Sequence, residues 1–144
     1  MNKQKALISD IDGTISDRRH RLHYIEGKKD WDRFFEALVD DPVIQDTIDQ
    51  IKSLLSADKK LIFFTGRPEK YRLLTQKWIR KNTPFKDYIL LMRKNKDYRK
   101  DAIIKKEILD LIREDYEVGI IFEDQPELSK IWQAENIKCI LVNE

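Results

Sequence analysis

The chain is 144 residues long; 41% of its residues are hydrophobic, 38% are charged, and its net charge is +2. This length holds one ordinary domain, and four glycines and four prolines are too few for a disordered chain. The small net charge does not by itself imply a nucleic-acid partner, and the single cysteine, Cys139, excludes an internal disulfide. Because no stretch is apolar enough to span a membrane, we expect residues 1–144 to form one cytoplasmic domain.

Five short apolar runs along the chain are typical of β-strands. They comprise residues 6–8, 61–64, 88–92, 118–122 and 138–142. The run at 61–64 is continuously apolar, which is typical of a strand covered on both faces. Cys139 falls in the last run, where we expect a buried thiol.

Longer amphipathic segments lie between these runs and predict helices. We expect them at 31–38, from Asp41 onward, after Gly66-Arg67-Pro68, at about 101–113 and at 127–134. Asp41 is placed to cap the second helix, and Pro42 suits its first position. The predicted inward faces hold Trp31, Phe34, Phe35 and Leu38; Ile44, Ile48, Ile51 and Leu55; Leu73, Leu74, Trp78 and Ile79; and Ile104, Ile108, Leu111 and Ile112.

The alternation of strands and helices predicts an α/β fold. We expect a Rossmann-like, doubly wound, mainly parallel sheet with helices on both faces. In such sheets ligands bind beyond the carboxyl ends of the strands, so the residues that follow each strand are the candidate site.

Three of the predicted strands are followed by acidic, hydroxyl or basic residues, two of them with an adjacent glycine, and a lysine lies near the start of the helix at 101–113. They are Asp10, Asp12, Gly13 and Thr14; Thr65, Gly66 and Arg67; Lys105; and Glu123 and Asp124. Taken singly, each group is ordinary: a turn, a helix cap or a surface lysine. Taken together they suit phosphate chemistry, because three carboxylates beside a phosphate dianion require a hard cation such as Mg²⁺, while Thr65 and Lys105 can hold phosphate oxygens.

Asp10-Ile11-Asp12-Gly13-Thr14, Thr65, Lys105 and Glu123-Asp124 resemble, in order and context, the four motifs of haloacid dehalogenase-type phosphohydrolases. The resemblance implies that Asp10 attacks phosphorus and that Asp12 acts as general acid and then as general base. It also implies an Mg²⁺ ion held by the Asp10 carboxylate, the Asp12 backbone carbonyl and Asp124, with Glu123 in support. The family fold would then carry only a minimal cap, an insert at about residues 16–40.

A closer resemblance is to the 3′-phosphatase domain of phage polynucleotide kinases. It is carried by residues 98–108, by Thr65-Gly66-Arg67, by Glu123-Asp124 and by Ile131-Trp132. The residue after the acidic pair is usually arginine in that family, whereas here it is Gln125. There is no Gly-rich Walker loop, so we expect a free-standing phosphatase without kinase activity.

The insert and two further arginines suggest how substrate binds. Arg18, Arg19 and Arg21 lie in the insert with Tyr24 and Trp31, and cations mixed with aromatic rings suit single-stranded nucleic acid. Arg67 and Arg99 are further candidates for binding the phosphate or its neighbours. The competing interpretation is that Trp31, Phe34 and Phe35 only pack the insert onto the core.

The sequence therefore predicts a phosphatase for 3′-phosphate ends of DNA or RNA. A phosphatase of nucleoside monophosphates or other small phosphoesters is the alternative, since a nucleotide also offers a phosphate and a base. A non-catalytic nucleic-acid-binding module is a more remote alternative. We expect neither a membrane nor an obligate protein partner.

Overall fold

The computed structural model describes residues 2–143 of the chain. Its strands are β1 (Gln4–Ser9), β2 (Lys59–Pro68), β3 (Tyr88–Arg93), β4 (Tyr116–Glu123) and β5 (Lys138–Leu141). Its α-helices are α1 (Trp31–Glu36), α2 (Gln45–Leu54), α3 (Arg72–Asn82), α4 (Asp101–Asp115) and α5 (Pro126–Ala134). Short 3-10 segments occur at Arg19–Ile25, Ala37–Asp40 and Glu69–Tyr71.

The five strands form one sheet in the order β3-β2-β1-β4-β5, and every adjacent pair is parallel. The predicted α/β fold with a mainly parallel sheet is therefore confirmed. The central strand β1 pairs with β2 on one side and β4 on the other. This is the point at which the strand order reverses, where a crevice opens beyond the carboxyl ends of the strands.

Two hydrophobic cores lie on the two faces of the sheet. Leu7 and Phe63 face the core that α2 and α3 cover, whereas Ile8 and Phe64 face the core that α4 and α5 cover. This alternation follows from the two-residue period of a strand. Burying each such side chain stabilises the fold by about 1.5–3 kcal/mol, so the layers hold the carboxyl end of β1 rigidly.

Helix α2 begins later than the sequence predicts. It starts at Gln45, and its N-cap residue, Ile44, makes no side-chain capping hydrogen bond. Asp41 is instead buried and accepts hydrogen bonds from Arg21 Nε at 2.8 Å and Nη2 at 2.7 Å. The prediction that Asp41 caps this helix is wrong, because the Asp41 carboxylate accepts hydrogen bonds from the buried Arg21 guanidinium and not from the helix backbone.

The chain after the second strand also differs from the prediction. Gly66, Arg67 and Pro68 remain in β2, and a 3-10 turn at Glu69–Tyr71 separates them from α3. The strand is longer than its apolar run because Arg67 is fully buried within polar contacts rather than exposed in a turn.

Several residues of the predicted inward faces point outward. Leu73 is 79% exposed and Leu111 is 60% exposed, while Leu109, which was not predicted, is fully buried. In α1 the prediction holds for Phe34, which is buried, but not for Trp31, which is 47% exposed. Helical periodicity gives the width of an apolar stripe but not its edges, so residues at a stripe's border are easily misassigned.

The burial of Cys139 and the character of the helices bear on two further expectations. Cys139 lies in β5 as predicted, but its side chain is half-buried rather than buried. Within residues 2–143, no helix combines the length and the apolar composition that crossing a membrane requires.

Candidate active site

Asp10 lies directly beyond the carboxyl end of β1 and is almost fully buried. Its backbone N–H donates to the Phe122 carbonyl at 3.0 Å, which continues the pairing with β4. Gly13 has φ 78°, a conformation that favours glycine, and it turns the chain so that the Thr14 hydroxyl donates to Asp10 Oδ2 at 3.4 Å. The local turn therefore holds the Asp10 carboxylate at the sheet edge.

Lys105 lies between two buried carboxylates. Its Nζ is 3.1 Å from Asp10 Oδ1 and 3.3 Å from Glu123 Oε1, and its side chain is only 2% exposed. Burial would lower the pKa of Lys105, but Asp10 and Glu123 outweigh it and hold that pKa above its usual range. Lys105 is therefore not a surface lysine, as the ordinary interpretation would have it. Helix α4 places its charged ammonium group beside Asp10.

Glu123 is saturated with hydrogen-bond donors. Besides Lys105, its carboxylate accepts from Trp132 Nε1 at 3.3 Å and from the backbone N–H of Asp124 at 3.2 Å. Glu123 is fully buried, so these contacts fix both Lys105 and the turn that carries Asp124.

Asp10, Glu123 and Asp124 form one acidic cluster whose oxygens lie within 4.8 Å of one another. Burial raises the pKa of Asp10 to about 7, and burial together with the nearby Asp10 carboxylate raises the pKa of Asp124 to about 7. The second oxygen of Asp124, Oδ2, is 3.2 Å from Arg18 Nη2. Among residues 2–143, no donor reaches its buried Oδ1, and a buried acceptor without a donor fits an oxygen-seeking cation.

Asp12 is clamped by two fully buried arginines. Arg67 donates from Nη2 to Asp12 Oδ1 at 2.7 Å and from Nε to Oδ2 at 3.0 Å, and Arg21 Nη2 also donates to Oδ1. Burial would raise the pKa of Asp12, but Arg67 and Arg21 outweigh it and hold that pKa well below its usual range. Asp12 is therefore ionised and rotationally fixed.

Arg21 and Arg67 do not occupy the positions that the sequence predicts for substrate-binding cations. Arg21 bridges Asp12 and Asp41 from a fully buried position, and its guanidinium also lies over the Phe34 ring at 4.4 Å. Arg67 donates from Nη1 to the Thr75 hydroxyl at 3.1 Å. Both guanidinium groups are therefore buried against Asp12 instead of facing an incoming strand. This corrects the predicted substrate contact of Arg21 in the insert and that of Arg67 in β2.

The remaining predicted cations are also paired with carboxylates. Arg18 lies against Asp124, and Arg19 forms an exposed pair with Asp17 at 2.6 Å. Arg99 is paired with Asp97 at 2.8 Å and with Glu107 at 2.5 Å.

Thr65 and Gly66 lie at the end of the apolar part of β2. Thr65 is fully buried, and its hydroxyl oxygen accepts from the Arg67 backbone N–H at 3.1 Å. A Cβ at Gly66 would overlap the Asp101 carboxylate, which Arg93 holds by an ion pair. Glycine at this position therefore keeps β2 close to the start of α4.

One cavity of about 590 Å³ opens onto these groups. Asp10, Asp12 and Lys105 line one part of it, and the apolar residues of the insert line another. Its volume lies within the roughly 300–1,000 Å³ of small-ligand pockets. Gln125 also lines it, so an uncharged amide stands where the family resemblance implies an arginine.

A family model of the polynucleotide kinase PNKP phosphatase domain matches residues 4–144 of the chain. The chain belongs to this family. The resemblance seen in the sequence is thereby confirmed, and the phosphatase domain is of the haloacid dehalogenase type. This membership also argues against the remote alternative of a non-catalytic binding module.

Similar proteins were found among both sequences and solved structures. A protein of Autographa californica nuclear polyhedrosis virus, assigned as a bifunctional polynucleotide kinase/RNA ligase, is 30% identical over 138 residues, which cover 94% of this chain and 19% of the viral protein. A chain of a Pnkp1/Rnl/Hen1 RNA repair complex is 30% identical with a TM-score of 0.82, covering 98% of this chain and 43% of that one. The class C acid phosphatase of Bacillus anthracis with tungstate bound shares the fold, with a TM-score of 0.73 at 15% identity over 99% of this chain and 68% of that chain.

The phosphatase domain spans about a fifth of the viral relative and less than half of the repair-complex chain. The expectation that it needs no obligate protein partner stays a prediction.

Three residues of the site are not recognisable as functional from the sequence: Asp41, Arg93 and Asp101. Asp41 lies 20 residues from Arg21, and no periodic pattern links the two. A signal is present in the acidic pair Asp40-Asp41 before a proline, but it equally fits a helix cap. Only the packing of α3, where Trp78 Nε1 donates to the Asp41 carbonyl at 2.9 Å, brings Asp41 under the insert.

We expect Arg21→Met to lower the free energy of unfolding by about 3–5 kcal/mol, because it leaves Asp41 buried without its guanidinium partner. Phosphatase activity should fall as well, since Asp12 loses one of its two clamps. Urea denaturation measures the first effect. The matched control is Arg19→Met, whose exposed pair with Asp17 contributes about 1 kcal/mol or less; equal losses in the two variants would contradict the buried network.

Proposed function

We propose that the phosphatase domain is an Mg²⁺-dependent phosphomonoesterase that removes 3′-phosphates from nucleic-acid ends through an aspartyl-phosphate on Asp10. The observation that carries the proposal is the position of Asp10: a buried carboxylate in contact with Lys105, facing the same cavity as an Asp12 that two arginines hold. These are the elements of nucleophilic catalysis on a phosphate: a nucleophile, a fixed proton-transfer group and a cation for the transferred oxygens.

The first half-reaction forms a bond between an Asp10 carboxylate oxygen and phosphorus and breaks the bond between phosphorus and the ester oxygen. The leaving alkoxide takes a proton from Asp12 and departs as an alcohol. In the second half-reaction water attacks the phosphorus of the aspartyl-phosphate and gives a proton to Asp12. The bond between phosphorus and the Asp10 oxygen breaks, which releases inorganic phosphate and restores the Asp10 carboxylate. Lys105 stabilises the negative charge on the non-bridging oxygens throughout.

The protonation of Asp12 depends on the substrate. In the free domain, Arg21 and Arg67 favour its ionised form. A phosphate dianion placed beside Asp12 opposes them, because a neighbouring negative charge raises the pKa of a carboxyl group. Substrate binding therefore promotes the protonated form that the first half-reaction needs.

The acidic cluster is suited to hold Mg²⁺. Asp10, the Asp12 backbone carbonyl and Asp124 would supply its oxygen ligands, and the donor-free Oδ1 of Asp124 supports this choice. Glu123, whose oxygens already accept from Lys105 and Trp132, acts as the support for this cluster. When bound, Mg²⁺ neutralises carboxylates that otherwise repel a phosphate dianion.

The preference for nucleic-acid ends rests on the relatives, one assigned as a polynucleotide kinase/RNA ligase and one from an RNA repair complex. The alternative, a nucleoside monophosphate phosphatase, is favoured by the cavity, since about 590 Å³ is room for one small ligand. Both substrates use the same chemistry at Asp10.

We expect phosphate release from a 3′-phosphorylated oligonucleotide in the presence of Mg²⁺, and none after chelation with EDTA. A 5′-phosphorylated oligonucleotide of the same sequence and a nucleoside 3′-monophosphate serve as controls. Release from the monophosphate alone would favour the small-substrate alternative, and equal release from both oligonucleotide ends would contradict 3′ specificity. Undiminished activity in EDTA would contradict the metal requirement.

A further inference from the structure

The segment 94–100, between β3 and α4, presents a fully exposed aromatic ring. Tyr98 is 90% exposed, the largest exposed fraction among the large hydrophobic side chains of residues 2–143. Lys96 and Lys100, two residues away on either side, are exposed as well. All three line the same cavity as Asp10.

This exposure does not reflect a loosely held segment. Arg93 donates from Nη1 to the backbone carbonyls of Asp97 at 2.9 Å and Arg99 at 2.5 Å, and from Nε to the Gly66 carbonyl at 2.8 Å. Asn95 Oδ1 accepts from the Lys70 backbone N–H at 2.9 Å. The backbone that carries Tyr98 is thus tied to the end of β2 and to the turn before α3.

The arginine within the segment strengthens this anchoring. Arg99 is bonded to Asp97 at the base of the turn and to Glu107 on α4. A turn in which Lys96 has φ 64°, a value uncommon for residues other than glycine, is closed by Asp97 N–H donating to the Lys94 carbonyl at 3.2 Å. Arg93 and Arg99 therefore fix the backbone of the segment, and the Tyr98 ring remains exposed to solvent.

The lysines of the segment differ from the three arginines that the sequence predicts as substrate-binding cations of the insert. Arg18, Arg19 and Arg21 are all paired with carboxylates. Among residues 2–143, no carboxylate lies within ion-pair distance of Lys96 or Lys100. Among the residues described, Lys96 and Lys100 are thus the cavity-lining cations without a carboxylate partner, which leaves them available for backbone phosphates.

From this placement we infer that segment 94–100 binds the nucleic-acid strand just upstream of its 3′-terminal nucleotide. The inference rests on the proposed function. The terminal nucleotide occupies the cavity with its phosphate at Asp10, and the strand leaves past the exposed rim, where a base stacks on Tyr98 and Lys96 and Lys100 contact backbone phosphates. An exposed ring flanked by unpaired lysines is the combination that single-strand binding uses.

The test compares Tyr98→Ala with Tyr98→Phe on three substrates: p-nitrophenyl phosphate, a nucleoside 3′-monophosphate and a 3′-phosphorylated hexanucleotide. Tyr98→Ala should lower kcat/KM for the hexanucleotide at least about five-fold, the size of one base–aromatic stack, and leave the other two substrates unchanged. Tyr98→Phe keeps the ring and should behave as wild type. Equal losses on all three substrates, or no loss on the hexanucleotide, would overturn the inference.

The lysines are tested through salt dependence. For Lys96→Ala/Lys100→Ala, the slope of log kcat/KM for the hexanucleotide against log salt concentration should fall by about 1.4, roughly 0.7 for each single-strand phosphate that a lysine no longer neutralises. The charge-matched control is Lys52→Ala/Lys130→Ala, two exposed lysines on α2 and α5, which should leave the slope unchanged. The same change in both double variants would overturn the inference.

Binding of a fluorescent 3′-hydroxyl hexanucleotide, followed by anisotropy, separates this inference from the proposed function. A wild-type domain that releases no 3′-phosphate contradicts the proposed function, while weaker binding by Tyr98→Ala still supports the strand site. Active wild type with identical binding by Tyr98→Ala overturns the strand site alone, and would instead fit a protein-contact role for the segment.

Discussion

Replacing Asp10 with asparagine is expected to reduce phosphate release at least about 10³-fold, because a carboxamide cannot serve as the nucleophile. The fold should be retained, since asparagine has nearly the same shape and can still accept from Lys105 Nζ, 3.1 Å away in the wild type. Activity is measured on a 3′-phosphorylated oligonucleotide with Mg²⁺, and folding is measured by urea denaturation.

Chemical trapping tests the nucleophile directly. Acid-quenched wild type should carry covalent phosphate that hydroxylamine releases, as expected for an acyl phosphate, whereas Asp10→Asn should carry none. Asp46→Asn, on the exposed face of α2, is the matched control and should be fully active. Near-wild-type turnover by a folded Asp10→Asn variant would show that the nucleophile lies elsewhere.

Replacing Asp12 with asparagine is expected to lower steady-state turnover about 10²–10⁴-fold, because both half-reactions lose their proton-transfer group. The asparagine side-chain oxygen can still accept from Arg21 and Arg67, so the geometry around the turn should persist. The effect should depend on the leaving group. p-Nitrophenol leaves readily as an anion, so the first half-reaction with p-nitrophenyl phosphate needs no proton from Asp12.

This difference predicts a burst. With p-nitrophenyl phosphate, Asp12→Asn should release up to one equivalent of p-nitrophenol per active site and then turn over slowly, because attack by water lacks its base. With the 3′-phosphorylated oligonucleotide, whose leaving group is an alkoxide, no burst should occur. Steady-state rates within a few-fold of wild type on both substrates would contradict the assignment of Asp12 to proton transfer.

The site contains an unusual number of buried charged side chains for a chain of this size. Asp10, Arg21, Arg67, Lys105 and Glu123 are all nearly inaccessible to solvent. Buried ion pairs contribute little net stability, because desolvation offsets their mutual attraction. Their effect here is on chemistry: they hold Asp10 and Asp12, the two carboxylates of the proposed mechanism, in opposite electrostatic settings. Burial raises the pKa of Asp10, whereas two guanidinium groups lower that of Asp12.

The sequence by itself was sufficient to predict the order of strands and helices and the edge of the sheet that carries the site. A buried parallel strand requires a continuous apolar run such as 61–64, and a chain that alternates such runs with amphipathic helices has few other ways to bury them. The polar residues after these runs, and those near the starts of the helices that follow, must then lie at one edge of the sheet. That is why Asp10, Asp12 and Lys105 can be grouped from the sequence alone.

Only the tertiary structure decided which charged side chains are available to a ligand and which form ion pairs inside the protein. Arg18, Arg19 and Arg21 are close together in sequence and look alike, yet they contact Asp124, Asp17 and the Asp12–Asp41 pair, respectively. A charge pattern reports only on neighbours along the chain, whereas these partners lie up to 106 residues away. For the same reason Tyr98, which the sequence does not distinguish within its basic segment, is the exposed ring at the cavity only because Arg93 and Arg99 anchor the backbone around it.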